Sequence, residues 1–140
     1  MPVVMTKAIP TVQKYMSFAP HTIGQEQTLA TAHNMMREHR IRHLPVLEGG
    51  RLVGLISQRD LALVESLKDV DPKAVVVEEA MSQQDYHVSP EAPLDEVASE
   101  MAEHKYGAAV VMNNGKVVGM FTCVDALSAF AELLRSRLAK

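Results

Sequence analysis

The chain is written twice. Setting Met16-Ser17 over Met81-Ser82, 65 residues further on, brings the two halves into register without a gap, and such a period constrains the fold more than any single motif. Glu26 then falls on Glu91, Leu29 on Leu94 and Met36 on Met101. Glu38-His39-Arg40 falls on Glu103-His104-Lys105, Val53-Gly54 on Val118-Gly119, Ser57 on Thr122, and Asp60 on Asp125. A chain of 140 residues supports one compact domain of ordinary size. Each half, at roughly 60 residues, would be marginal alone, so the two must share buried surface.

Both copies read in the same order of elements. A short extended piece, Thr22-Ile23 or His87-Val88, precedes apolar residues at helical spacing: Leu29, Ala32 and Met36, then Leu94, Val97 and Met101. Each helix ends on a base, Arg40 or Lys105, suited to a negative helix C-terminus. The period then changes to that of strands. Leu44 to Leu47 and Leu52 to Ile56 flank Glu48-Gly49-Gly50, and Ala108 to Met112 and Lys116 to Phe121 flank Asn113-Asn114-Gly115, as hairpins require. A second helix follows, expected over Arg59 to Lys68 and over Cys123 to about Leu138. The expected fold is α/β (α+β): two β-α-β-β-α repeats packed through their sheets about a pseudo-twofold axis. Along the chain this divides into an N-terminal extension (1–11), repeat 1 (12–68), a linker (69–76), and repeat 2 with its C-terminal helix (77–140).

Composition narrows the function. A formal net charge of −3 and 4% aromatic residues give no footprint for nucleic acid. One cysteine, Cys123, excludes an internal disulfide framework and points to the cytoplasm. Residues 1–10 lack the apolar run of a secretory signal, and no stretch approaches the roughly 20 apolar residues of a membrane helix.

The most informative segments are Gly54-Leu55-Ile56-Ser57-Gln58-Arg59-Asp60 and Gly119-Met120-Phe121-Thr122-Cys123-Val124-Asp125. Each is a glycine, two apolar residues, a hydroxyl, two variable residues and an aspartate, placed where a strand turns into a helix. A hydroxyl three residues before an acid is an N-cap with a first-turn carboxylate, and needs no ligand. The same atoms can also serve a ligand. Helix N–H groups attract phosphate, the carboxylate can accept ribose hydroxyls, and a glycine lets a flat ring approach the backbone. Spacing alone leaves both readings open.

The repeated hydroxyl-x-x-Asp after a Gly-led strand, the Arg42-His43-Leu44-Pro45-Val46 opening and the Met-rich helix resemble the cystathionine-β-synthase (CBS) domain family. Two copies in tandem resemble the CBS pair, or Bateman module. The resemblance covers about Val12 to Leu134. It implies a non-catalytic regulatory sensor of AMP, ADP, ATP or S-adenosylmethionine that needs no cofactor, acts on a partner protein, and pairs into a disc-like homodimer. Carried over by position, Asp60 and Asp125 would bind ribose hydroxyls, with Ser57 and Thr122 near ribose or phosphate. Thr22, Ile23, Ile56 and Phe121 match adenine-facing residues, as do His87 and Val88 less well. Pro45 lies in the matching strand opening. Departures gather in the second copy, where His43-Leu44-Pro45 becomes Ala108-Ala109-Val110 and Arg59 becomes Val124. Arg42, His43 and Arg59 therefore make the first motif the expected phosphate site, with one ligand per chain.

Other residues carry weaker signals. His33, His39 and His43 lack a Cys or acid at metal-site spacing. Cys123 follows the cap Thr122, where a helix N-terminus can lower a thiol pKa, but a small filler serves as well. Most of the nine Met suit a core. A ligand-free scaffold remains the competing function, and no nucleophile with a paired base or P-loop supports an enzyme.

Overall fold

The computed structural model describes residues 8–18, 21–83 and 86–137. In chain order its elements are β1 (Ser17–Phe18), β2 (Ile23–Gly24), α1 (Leu29–His39), β3 (His43–Glu48), β4 (Arg51–Ser57), α2 (Gln58–Glu65), β5 (His87–Val88), α3 (Leu94–His104), β6 (Ala108–Asn113), β7 (Lys116–Thr122) and α4 (Cys123–Arg137). Short 3-10 turns at Val12–Lys14 and Val77–Glu79 open the two copies. Leu138, where α4 was expected to end, and residues 1–7 of the N-terminal extension lie outside the described residues.

The duplication is legible in the smallest details. α1 and α3 bury Leu29, Ala32, Met36 and Leu94, Val97, Met101 respectively. Both stop at a left-handed residue, Arg40 (φ 55°) or Lys105 (φ 60°), whose N–H bonds the carbonyl of Met36 or Met101. The hairpins turn on Gly49-Gly50 and Asn114-Gly115, all at positive φ. Even the β-bulge recurs, between Val46 and Leu47 and between Val111 and Met112. α2 differs from the expected span: it starts one residue earlier, capped by Ser57, and ends at Glu65. Only Leu61 of this helix is buried while Leu63 and Leu67 are exposed, so no packing holds a further turn.

Each copy lends its leading segment to the other. β1 pairs antiparallel with β7, Ser17 opposite Met120 and Phe18 opposite Gly119. The equivalent Ser82 bridges Leu55 of β4 through N–H···O bonds of 2.8 and 2.9 Å. Val12 and Met16 consequently sit in the core built by Leu94, Val97, Met101 and Phe121, and Val77 sits in the core built by Leu29, Met36, Leu44 and Ile56. The boundary at residue 68 follows the chain, whereas the packing crosses it. A third cluster joins the sheets face to face: Ala108, Val110 and Met120 of β6 and β7 pack against Leu52 and Leu55 of β4.

Gly54 and Gly119 acquire their reason here. A Cβ on Gly54 would stand 2.6 Å from the Ser82 carbonyl oxygen and 2.9 Å from the Met81 sulfur. On Gly119 it would stand 2.6 Å from the Met16 sulfur and 2.8 Å from the Ser17 carbonyl oxygen. One of the two readings of the motif let a ligand ring approach these glycines; in the structure the crossing chain segments occupy the space a Cβ would take.

Candidate functional site

The strand-to-helix motif performs its capping role in both copies. Ser57 Oγ accepts from the Asp60 N–H at 3.0 Å, and Asp60 Oδ2 accepts from the Ser57 N–H at 2.8 Å, a complete capping box. In the second copy Thr122 Oγ1 accepts from the Asp125 N–H at 3.3 Å, and Asp125 Oδ2 accepts from the Thr122 N–H at 2.9 Å. The two carboxylates differ in what remains. Asp60 Oδ1 takes no hydrogen bond from the described residues, whereas Asp125 Oδ1 lies 3.4 Å from the Ser17 hydroxyl.

Two clefts open beside these motifs, each lined from both copies. The first, of about 460 Å³, is formed by Arg42, His43, Leu55, Ser57, Gln58, Arg59 and Asp60 on one side and Ser82, Lys105, Tyr106, Gly107 and Ala108 on the other. The second, of about 560 Å³, is its pseudo-twofold counterpart, with Thr122, Cys123, Val124, Met120, Ser17 and Gly107 facing Arg40, Ile41, Arg42, His43 and His21. Nearly every lining position in one has its 65-residue equivalent in the other.

The structure thus gathers Arg42, His43, Ser57, Arg59 and Asp60 in the first cleft, and Thr122 with Arg42 and His43 in the second. Asp125 stays in its capping box and is not among the residues lining the second cleft. Ile23 and Ile56 lie in the first core and Phe121 in the second, and Pro45 is fully buried opposite Leu55. Thr22 is half-buried ahead of β2, His87 is exposed on β5, and Val88 packs at the edge of the second core. None of these lines either cleft. For Ile56 and Phe121 the reason is strand alternation: Ser57 and Leu55 share one face, so Ile56 between them faces the opposite way. Leu55 and Met120 are the strand residues that meet the clefts.

Sequence reasoning missed Lys105, Tyr106, Ser82 and Arg40. The signal available was the repeat itself, because once the copies face each other, the end of each first helix reaches the other copy's motif. Arg40 and Lys105 are also the left-handed residues noted above, a conformation that costs a non-glycine residue about 1 kcal/mol and often marks functional sites.

Charge follows the same crossing. Arg40, Arg42, Arg59 and Lys105 make no ion pair among the described residues. Arg42, Arg59 and Lys105 offset Asp60 in the first cleft, while Arg40 and Arg42 make the second cationic too. The expected contrast in charge between the motifs is softened because first-copy cations reach across the axis. Burial lowers the His43 pKa below its ordinary value, opposed by the Asp60 carboxylate and reinforced by the Arg42 guanidinium. Since the unfolded imidazole titrates near 6.5, the unfolded chain gains more protons than the folded one as pH drops through that value. Stability from this group is constant above about pH 7 and declines on acidification. Urea midpoints measured from pH 7.5 to 5 should fall, and His43→Gln should flatten the fall; an unchanged slope in the variant contradicts the assignment.

Two further histidines, His33 and His39, are engaged with other side chains. His33 bonds Glu65 across α1 and α2, and His39 stacks on His21 with ring centroids 3.5 Å apart. Among the described residues, no three His, Cys, Asp or Glu are placed to hold a metal ion. No helix of the described residues is long and apolar enough to cross a membrane.

Comparison with known proteins agrees with this architecture. The sequence model of the CBS domain matches residues 4–66 and again 77–132. The inosine-5′-monophosphate dehydrogenase of Korarchaeum cryptofilum is 30% identical over 86% of this chain, which spans 24% of that enzyme. Hypoxic response protein 1 of Mycobacterium tuberculosis is 28% identical over 82% of this chain and 81% of its own length. The CBS domain pair of protein MJ0100, solved with 5′-methylthioadenosine and S-adenosyl-L-methionine, superposes with a TM-score of 0.82 at 26% identity, over 90% of this chain and 99% of that one. Two family matches, one per copy, on a fold that repeats itself across a shared interface place the chain in the CBS domain family, as a tandem CBS pair.

Proposed function

We propose that this CBS pair is a regulatory module that binds an adenosyl ligand, AMP, ADP, ATP or S-adenosylmethionine, in the clefts between its halves and signals its occupancy to a partner protein in the cytoplasm. One observation carries the reading. Arg42, Arg59 and Lys105, which make no ion pair among the described residues, converge on the first cleft beside Asp60, whose Oδ1 takes no hydrogen bond from the described residues. Cations suit phosphate or a carboxylate tail, and that oxygen suits a ribose hydroxyl. The adenosyl ligands bound by the MJ0100 pair support the same ligand class. The cations and carboxylate of such a cleft supply the charge and hydrogen bonds that hold a ligand, which is what a module that relays occupancy needs.

Thermal unfolding with a panel of adenosyl and guanosyl ligands tests this. A ligand at 100 times its Kd adds about 2.7 kcal/mol to stability. Asp60→Ala should lose that gain, and should also cost about 1 kcal/mol without ligand, because it opens the capping box. The second reading, a ligand-free scaffold, draws on the fact that the motif caps a helix fully in both copies. Under it Asp60→Ala and Asp125→Ala cost the same, and no ligand shifts either protein.

The partner surface proposed here is α4, whose Val124, Leu127, Phe130 and Leu134 are exposed on one stripe, with Leu63 exposed on α2 and Leu67 exposed just past its end. A second copy of the chain covering that stripe gives a homodimer. Sedimentation should then report a dimer that Phe130→Asp shifts toward monomer; a wild-type monomer at high concentration contradicts it.

A further inference from the structure

We infer that the two clefts compete for a single cation, Arg42, so that a phosphorylated ligand in one cleft weakens binding of a second in the other. The inference rests on the proposed ligand class and adds a coupling between the sites. Arg42 and His43 line both clefts, the first with Arg59 and Lys105, the second with Arg40. In a chain with exact internal symmetry the second copy would supply an equivalent pair on the other side of the axis. Here those positions are Gly107 and Ala108, which carry no charge. His43 stands against that gap: its Nε2 lies 3.0 Å from where a Cβ on Gly107 would be.

Arg42 is exposed and without an ion-pair partner among the described residues, so its guanidinium can turn to either cleft. It cannot hold phosphates in both, because its forked donors address one anion at a time. Whichever cleft fills first takes that contact, and the anion already bound repels the next. Losing one hydrogen bond between charged groups weakens binding about 10- to 100-fold. By linkage the effect is mutual, whichever site fills first. An adenosyl ligand without phosphate makes no claim on Arg42, so the clefts should fill independently with it.

Isothermal titration of the whole chain with AMP and with adenosine separates these cases. Arg59 lines the first cleft and not the second, so Arg59→Glu weakens the first cleft and reports the second on its own. The expected result is that the weaker AMP site of the wild-type chain binds at least tenfold less tightly than the second cleft does in Arg59→Glu. With adenosine the two values should agree. Equal AMP affinities in the two measurements overturn the competition while leaving the proposed function standing. The same gap with adenosine also overturns it, because charge is then not the cause. Absence of any binding of either compound overturns the proposed function and this inference together.

Discussion

Phe121→Ala should lower the free energy of unfolding by about 3–5 kcal/mol, with or without ligand. The side chain is fully buried in the second core, packed among Val12, Met16, Leu94, Val97 and Met101. Two of those contacts come from the leading segment of the first copy, so the cavity weakens the junction between halves as well as the second half itself. One cooperative transition is expected in urea, with its midpoint lowered and its slope unchanged. A loss below 1 kcal/mol, or a loss that appears only in affinity for an adenosyl ligand, would return Phe121 to the binding role that its position in the motif implied.

Gly54→Val is expected to cost about 2–3 kcal/mol, near the upper end for an overpacked site. Its Cβ would meet the Ser82 carbonyl oxygen, and that atom belongs to a backbone bridge holding the crossing segment onto β4. A side-chain tip could swing away; this carbonyl cannot move without breaking its bond from the Leu55 N–H. Because Ser82 lines the first cleft, the displacement should also weaken ligand binding there. Amide exchange at Leu55 and Ser82 reads the local effect, and protection equal to wild type in a stable variant contradicts the account.

These two residues also mark where sequence reasoning works and where it stops. Whatever depends on neighbours in the chain was readable. The Ser57 and Thr122 caps, the Asn114-Gly115 turn and the buried faces of α1 and α3 are local chemistry, and the 65-residue repeat doubled each signal. Contacts between the copies were not readable. Val12 and Met16 are apolar residues near the N-terminus, and nothing in their identity says that they complete a core whose other members begin at Leu94. The parity of a strand is equally silent in an apolar run: Leu55 and Ile56 are interchangeable by composition, yet one meets the cleft and the other the core. Lys105 and Arg40 read as helix-end bases, and they are; the crossing of the halves also sets them at the other copy's motif.

The central claim is that an adenosyl ligand sits between the halves, touching both. Amide chemical-shift mapping during titration with AMP and S-adenosylmethionine tests it most directly. The account predicts that the largest changes fall together on Ser57 to Asp60 at the start of α2 and, from the other copy, on Ser82 and on Lys105 to Ala108. Changes confined to one half, or gathered in the apolar groove where Ile9 and Leu94 face Phe130 and Leu133 on α4, would contradict it.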